Sequence, residues 1–168
     1  RLSVSHRRVC TGGSVELDGL VVSAVDDLAT AVAELRQIAH GLRPSSLDDG
    51  LAPALENLTR SSALPLRLIF DADELPEHVS VTAYYVASEG VANAVKHSGA
   101  REVEVAVRRD RGNVLVAVRD DGSGGARITP GSGLSMLCDR VHALGGRLSL
   151  HSPPLGGTVM TAEIPCGS

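Results

Sequence analysis

Two runs of alternating valines constrain the fold of this chain more than any other feature. Valine occupies every second position over residues 103–107 and again over 114–118, and Gly112 lies in the link between the runs. A period of two is typical of a strand that buries one face, and a short link with glycine favours a hairpin. The sequence therefore predicts an antiparallel hairpin with one face toward water and the other under a layer of helices.

Other elements are predicted on both sides of this hairpin. Helical patterns cover 52–62, 77–97 and 134–144, and strand patterns cover 66–70, 147–151 and 158–164. The stretch 121–132 is rich in glycine and serine and has almost no apolar residues, which predicts a mobile loop.

A long helix is predicted over residues 15–43, before the linker 45–50. Its apolar residues form a seven-residue repeat typical of a coiled coil or helical bundle: Val21, Val25, Leu28, Val32, Leu35, Ala39 and Leu42. One helix cannot bury this stripe alone, so we expect an antiparallel helical hairpin that forms a dimer. Packing on its own globular domain is the alternative. Pro44 ends the helix and divides the chain into a helical domain over 1–44 and a second domain over 45–168.

Composition excludes some classes of partner. The net charge is −4 and only three residues are aromatic, so we expect no binding to nucleic acid. The three cysteines share no metal or redox spacing, which predicts reduced thiols in the cytoplasm. No run has membrane-spanning length and no signal peptide is visible, so we expect this chain to make no membrane contact. It begins at Arg1 rather than methionine, and we expect a piece of a longer protein that can carry its membrane anchor elsewhere.

Polar residues follow one face of the helix predicted over 77–97. Tyr85, Glu89, Asn93 and the pair Lys96-His97 recur at helical spacing. Asparagine offers a neutral oxygen to a hard cation, lysine a charge for phosphate, and glutamate a base or water-orienting group. This face fits a hydrated divalent cation that carries phosphates, and the solvated face of an amphipathic helix is the alternative.

A second group of candidates begins where a predicted strand ends, at Asp120. Its carboxylate could accept a hydrogen bond from an exocyclic amine, and Gly122 and Gly124 would let the backbone approach a flat ring. Gly131 and Gly133 stand just before the next predicted helix, where free backbone amides bind anions. The simpler explanation of residues 120–124 is an ordinary strand-to-turn junction, and that of residues 131–133 is a flexible hinge.

The order and spacing of these motifs resemble those of the GHKL ATPases. Four segments correspond to the N, G1, G2 and terminal Gly-Thr boxes: Glu89-x3-Asn93-x2-Lys96-His97, Asp120-x-Gly122-x-Gly124, Gly131-x-Gly133-Leu134 and Gly156-Gly157-Thr158. Within that superfamily the chain is similar to sensor histidine kinases of two-component systems, in particular to the NarL/DesK-type subfamily. The narrower match rests on segments within 36–51, 92–100 and 134–146, and the whole resemblance covers about residues 15–165.

The resemblance implies an α+β fold: a two-layer α/β sandwich of the Bergerat or GHKL type, with a mixed sheet and helices on one face, preceded by a long coiled-coil-type helix. It also implies ATP and Mg²⁺ as cofactors, with Asn93 ligating Mg²⁺ through its amide oxygen. Lys96 and His97 would contact ATP, Asp120 would bind the adenine amine, and Thr158 would support it through water. The other implied ATP-binding residues are Leu134 and four glycines that would shape a lid, namely Gly122, Gly124, Gly131 and Gly133.

The implied activity is transfer of the ATP γ-phosphate to a histidine, followed by relay to an aspartate of a NarL-type response regulator. The full-length protein would be a homodimer, and Glu89 would be the catalytic base, although an acidic residue beside the acceptor histidine can serve instead. The family's acceptor lies in an Asp-Leu-His-Asp-like phrase, which surrounds neither His6 nor His40. We therefore expect the acceptor upstream of Arg1, and a piece that binds ATP without phosphorylating itself.

Two other classes of function fit part of the sequence. An anti-sigma-factor-like serine kinase would share the ATP-binding fold, but the heptad helix and the Leu42-Arg43-Pro44 linker argue against it. A non-catalytic dimeric ATP-binding scaffold would carry a vestigial site, and the presence of all the expected side chains argues against that.

Overall fold

The structure is a computed structural model that describes residues 44–167. The helix predicted over 15–43, and with it the helical domain over 1–44 apart from Pro44, lies outside the described residues. The dimer expected from that helix stays a prediction.

The described part of the chain contains three α-helices, two short helical turns and five strands. In order they are a 3₁₀ turn (Ser45–Leu47), α1 (Leu51–Ser61), β1 (Leu66–Asp71), α2 (Glu77–Asn93), a π-helical turn (Ala94–Ser98), β2 (Val103–Asp110), β3 (Asn113–Asp120), α3 (Gly133–Ala143), β4 (Arg147–His151) and β5 (Thr158–Pro165). The strands form one sheet in the order β1-β2-β3-β5-β4. β1 runs parallel to β2 and the other neighbours are antiparallel, which confirms the expected mixed sheet.

The valine runs form the predicted hairpin of β2 and β3. Val105 lies opposite Val118 and Val107 opposite Val116. The two-residue turn Arg111-Gly112 has positive φ angles of 47° and 84°, the combination that matches the twist of a tight hairpin. All six valines of the two runs are buried, so the hairpin places one continuous apolar face against the helices.

The helices cover one face of the sheet, as expected for a two-layer sandwich. α2 contributes a buried face that packs with the valines of β2 and β3, and its members are Ala83, Val86, Ala87 and Val91. The opposite face of the sheet is solvated, and there Arg67 on β1 pairs with Glu104 on β2 at 3.4 Å. Between residues 44 and 167, no helix has the length and apolarity needed to cross a bilayer.

The predicted helix over 77–97 changes geometry before its end. The α-helical part stops at Asn93, and Ala94–Ser98 continues as one π-helical turn. The Ser98 hydroxyl donates a hydrogen bond to the Ala94 carbonyl at 2.8 Å, and Gly99 then leaves the helix with a φ of 62°. The turn follows directly on the predicted metal ligand, and π-helical turns are frequent at functional sites.

Candidate functional site

A cavity of about 360 Å³ lies between α2, the loop 121–132, and the ends of β3 and β5. Of the eleven residues predicted from the sequence to form the site, eight line it: Glu89, Asn93, His97, Asp120, Gly124, Gly133, Leu134 and Thr158. The candidate side chains of the helix and the candidate aspartate at the strand end therefore face one space.

Glu89 and Asn93 interact directly along α2. The Asn93 side-chain amide donates a hydrogen bond to Glu89 Oε1 at 3.3 Å, as two residues four apart on one helix face can. This bond uses the nitrogen of Asn93, and within the described part of the chain its Oδ1 has no hydrogen-bond donor. The amide oxygen is therefore available to a ligand in the cavity.

Glu89 also defines how closely α3 approaches α2. The carboxylate is buried, and a Cβ at Gly133 would overlap Glu89 Oε1. Gly133 is the first residue of α3, and the preceding Ser132 caps this helix by accepting a hydrogen bond from the Ser135 amide at 3.2 Å. The glycine predicted to shape the lid thus also brings the N-terminus of α3 to the cavity, where its partial positive charge favours an anion.

Asp120 occupies the last position of β3, opposite Thr158 at the start of β5. Its Oδ1 accepts a hydrogen bond from the Gly122 amide at 2.8 Å, which fixes the orientation of the carboxylate. The Thr158 hydroxyl lies 3.0 Å from that of Ser152, so these two hydroxyls form a polar pair beside the aspartate. A Cβ at Gly157 would overlap the Asp120 carbonyl, which explains why glycine precedes Thr158.

Apolar side chains form the wall beside Asp120, and sequence reasoning did not assign them to the site. They are Val118 on β3, Leu150 on β4 and Met160 on β5. Gly90 on α2 faces two of them, since a Cβ there would come within 2.9 Å of Met160 Cε and Val118 Cβ. This glycine lets the helix approach the sheet closely at the cavity. The glycine itself was the signal in the sequence, because a glycine inside a helix costs about 1 kcal/mol relative to alanine.

Three predicted site residues do not line the cavity. Lys96 is exposed in the π-helical turn, Gly122 supports the Asp120 carboxylate from the side, and Gly131 lies in the loop with a φ of 76°. Arg127 from the loop lines the cavity instead, although it was not predicted. It is the only basic residue of the stretch 121–132, and that was the available signal.

α3 is fixed against α2 by a contact away from the cavity. The Arg140 guanidinium lies 4.7 Å from the centroid of the Tyr85 ring. Burial raises the pKa of Tyr85, and the nearby charge of Arg140 offsets part of that rise. Tyr85 was predicted on the same helix face as Glu89, and here it is part of the support of the cavity.

Comparison with known protein families identifies one match along most of the described part. The model of the histidine kinase-, DNA gyrase B- and HSP90-like ATPases matches residues 78–168, a range that contains all eleven predicted site residues.

Individual relatives are similar over most of this chain. It is 30% identical to the signal transduction histidine-protein kinase/phosphatase DegS of Brevibacillus brevis, over 81% of this chain and 38% of that protein. It is 31% identical to UhpB of Salmonella typhimurium, described in the same words, over 96% of this chain and 34% of that protein. It is also 29% identical to the nitrate/nitrite sensor protein NarX of Escherichia coli, over 83% of this chain and 25% of that protein. The chain thus spans about a third of the length of the first two relatives.

Solved structures share the fold. The histidine kinase domain of the blue-light activated histidine kinase from Erythrobacter litoralis superposes with a TM-score of 0.57 at 20% identity, over 69% of this chain and 59% of that one. The histidine kinase AdeS of Acinetobacter baumannii gives a TM-score of 0.53 at 16% identity, over 92% of this chain and 82% of that one.

Proposed function

The chain belongs to the family of histidine kinase-, DNA gyrase B- and HSP90-like ATPases, and from this we propose that residues 45–168 are the ATP-binding catalytic domain of a sensor histidine kinase. The observation that supports this best is the shared cavity. Its one end offers an amide oxygen and a helix N-terminus, and its other end offers a fixed carboxylate beside an apolar wall. The first end suits the phosphates of a nucleotide with their metal ion, and the second suits its base.

The adenine ring is proposed to bind at the Asp120 end. Because Oδ1 already accepts the Gly122 amide, the second carboxylate oxygen is the acceptor for the exocyclic amine. The Thr158 hydroxyl is proposed to support this contact through water, and the apolar wall of Val118, Leu150 and Met160 is the proposed surface for the flat ring. A carboxylate that accepts from an amine discriminates against a base that presents a carbonyl at that position.

The phosphates are proposed to bind at the Asn93 end, together with Mg²⁺. Within residues 44–167, no group of three or more His, Cys, Asp or Glu side chains could hold a metal ion. That fits magnesium, which commonly takes one or two protein oxygens and completes its shell with phosphates and water. Asn93 Oδ1 is the proposed protein ligand. The ion would neutralise charge on the phosphates, and the N-terminus of α3 and Arg127 add positive potential there.

The proposed reaction transfers the γ-phosphoryl group of ATP to an imidazole nitrogen of a histidine, leaving ADP. Glu89 is proposed to act as a base or as an orienting group. Its carboxylate accepts the Asn93 amide and lies against Gly133, so it holds the metal ligand and the lid end together. The phosphoryl group is then proposed to pass to an aspartate of a response regulator.

The relatives support a role in two-component signalling. DegS and UhpB are described as histidine-protein kinases and phosphatases, and NarX as a nitrate/nitrite sensor. From the family resemblance and the heptad pattern of the sequence, we propose a NarL-type response regulator as the partner, homodimerisation through residues 1–44, and a cytoplasmic location of this domain.

Nucleotide titration of site variants tests the proposal. Asp120→Asn should lose adenine recognition, because an amide nitrogen replaces an acceptor, and Asn93→Ala should lose the dependence of ATP affinity on Mg²⁺. Asn113→Ala is the matched control, since Asn113 also donates to a glutamate, Glu163 Oε1 at 2.8 Å, but at the other end of the sheet. Unchanged binding in both site variants would reject the assignment of this cavity.

A further inference from the structure

The junction between the end of α2 and the loop after β3 holds the two ends of the site together. On the helix side is the π-helical turn Ala94–Ser98, which directly follows Asn93. On the loop side is Gly122-Ser123, which directly follows Asp120 and Asp121. The Ser123 amide donates a hydrogen bond to the Ser98 carbonyl at 2.7 Å, so the two sides meet at Ser98.

Ser98 also holds its own turn in shape. Its hydroxyl donates to the Ala94 carbonyl at 2.8 Å and accepts from the Ala100 amide at 3.1 Å. The side chain is buried, and both bonds lie within the short segment that carries the exposed Lys96 and His97. A single hydroxyl therefore joins the start of the π-helical turn to the chain beyond Gly99.

The loop fits against Ser98 without any spare room. A Cβ at Gly122 would overlap the Ser98 carbonyl oxygen and come within 2.7 Å of its hydroxyl. The other side of the loop is bonded to the β4–β5 connection, because the Gly157 amide donates to the Gly122 carbonyl at 3.0 Å and the Leu155 amide donates to the Ser123 carbonyl. Substitution of the Ser98 side chain therefore leaves the hydrogen bonds between this loop and the β4–β5 connection in place.

We propose that Ser98 is a positioning residue that fixes the separation between the adenine end of the site at Asp120 and the phosphate end at Asn93. This inference rests on the proposed function. A ligand that spans both ends benefits from a fixed separation, because the protein then loses less conformational freedom on binding. A ligand that uses only the adenine end does not depend on that separation.

The test compares three ligands, adenosine, ADP and ATP with Mg²⁺, by calorimetric titration of the full chain. Ser98→Ala should weaken ADP and ATP about three- to tenfold, the range expected for loss of one net hydrogen bond, while adenosine changes less than about twofold. Ser88→Ala is the control on α2, since the Ser88 hydroxyl also bonds the helix backbone, at Tyr85 O and 3.2 Å. Ser98 lines the cavity and Ser88 does not, but the Ser98 hydroxyl already donates to Ala94 and accepts from Ala100. Ser88→Ala should leave all three affinities unchanged.

Two further measurements separate positioning from a general loss of structure. Amide hydrogen exchange at Ser123 should accelerate in Ser98→Ala, while the Gly157 amide on the other side of the loop stays protected. Gly122→Ala strains the same junction from the loop side, but it also displaces the amide that holds the Asp120 carboxylate, so in contrast to Ser98→Ala it should weaken adenosine as well as ADP and ATP.

Equal weakening of all three ligands in Ser98→Ala, or no weakening of ADP and ATP, would overturn the role of Ser98 while the ATP site itself stands. If the wild-type chain bound none of the three ligands, the proposed function would fail as well, so the two failures are distinguishable.

Discussion

Asn93 and Glu89 lie one helical turn apart on α2, and the Asn93 amide nitrogen donates a hydrogen bond to Glu89 Oε1 at 3.3 Å. The bond leaves Asn93 Oδ1 as the end of the amide that a ligand can use. Glu89 therefore decides which atom of its neighbour is presented to the cavity.

Substitution of Glu89 should separate its orienting role from its charge. Glu89→Gln keeps an acceptor for the Asn93 amide, whereas Glu89→Ala removes it and lets the amide rotate. We expect Glu89→Ala to weaken Mg²⁺-ATP binding about fivefold, about 1 kcal/mol, and Glu89→Gln to change affinity by less than about twofold. Calorimetric titration measures both, and equal loss in the two variants would show that the carboxylate charge is required for binding.

Gly90→Ala should lower the free energy of unfolding by about 1–3 kcal/mol, because the new methyl group meets Met160 and Val118 in a packed wall. Urea denaturation measures the change. In the combined variant with Met160→Ala, the shorter side chain gives the methyl group room on one side. The double variant should therefore lose less stability than the sum of the losses in the two single variants. Strict additivity would mean that the helix and the wall do not meet at this position.

Arg140→Ala should lower the free energy of unfolding by about 0.5–2 kcal/mol through loss of the contact with the Tyr85 ring. Tyr85→Phe keeps the ring face and should retain most of that contribution, whereas Tyr85→Leu removes the ring, so a double-mutant cycle of Arg140→Ala with Tyr85→Leu isolates the contact. Arg108→Ala is the control, since Arg108 is exposed on β2 and should have almost no effect. A coupling energy near zero would contradict the contact.

The stability of the domain should depend on pH through Asp121. Hydrogen bonds from the Arg101 and Glu102 amides, at 2.8 and 3.1 Å, lower the pKa of this carboxyl below its ordinary value of 3.8. Because the pKa of Asp121 is lower in the folded state, its ionised carboxylate contributes to the stability of the fold. This contribution is fully present well above pH 3.8 and is lost as the pH falls through 3.8 toward the folded-state pKa. The stability difference between wild type and Asp121→Asn should therefore shrink over that window in urea titrations. A difference that stays constant down to pH 3 would contradict it.

Local patterns predicted the fold well because they depend on neighbours in sequence. The valine alternation specified the hairpin, and the period of α2 placed Glu89 and Asn93 on one face. The mixed sheet and the single layer of helices came from the family resemblance, and the structure agrees with both. The strand order was not predicted and is known only from the structure. Helix ends were less accurate: the π-helical turn depends on bonds of Ser98 that no periodicity reveals.

The unpredicted parts of the site arise from contacts between distant segments. Leu150 and Met160 belong to strands that were predicted from the sequence, but a strand prediction does not show which of its side chains line a cavity. The role of Gly90 depends on its proximity to Met160 and Val118, which the sequence does not reveal: the missing side chain allows the helix and the sheet to pack closely there. Lys96 was assigned from helical spacing, and the change to π-helical geometry leaves it exposed outside the cavity lining.

That exposed position gives Lys96 a practical use. It carries the only side-chain amine in the sequence, and the next residue, His97, lines the cavity. An amine-reactive dye would label a single side chain in the described domain, at the residue directly before the cavity-lining His97. The chain thus contains its own attachment point for an optical probe of occupancy, with no substitution needed.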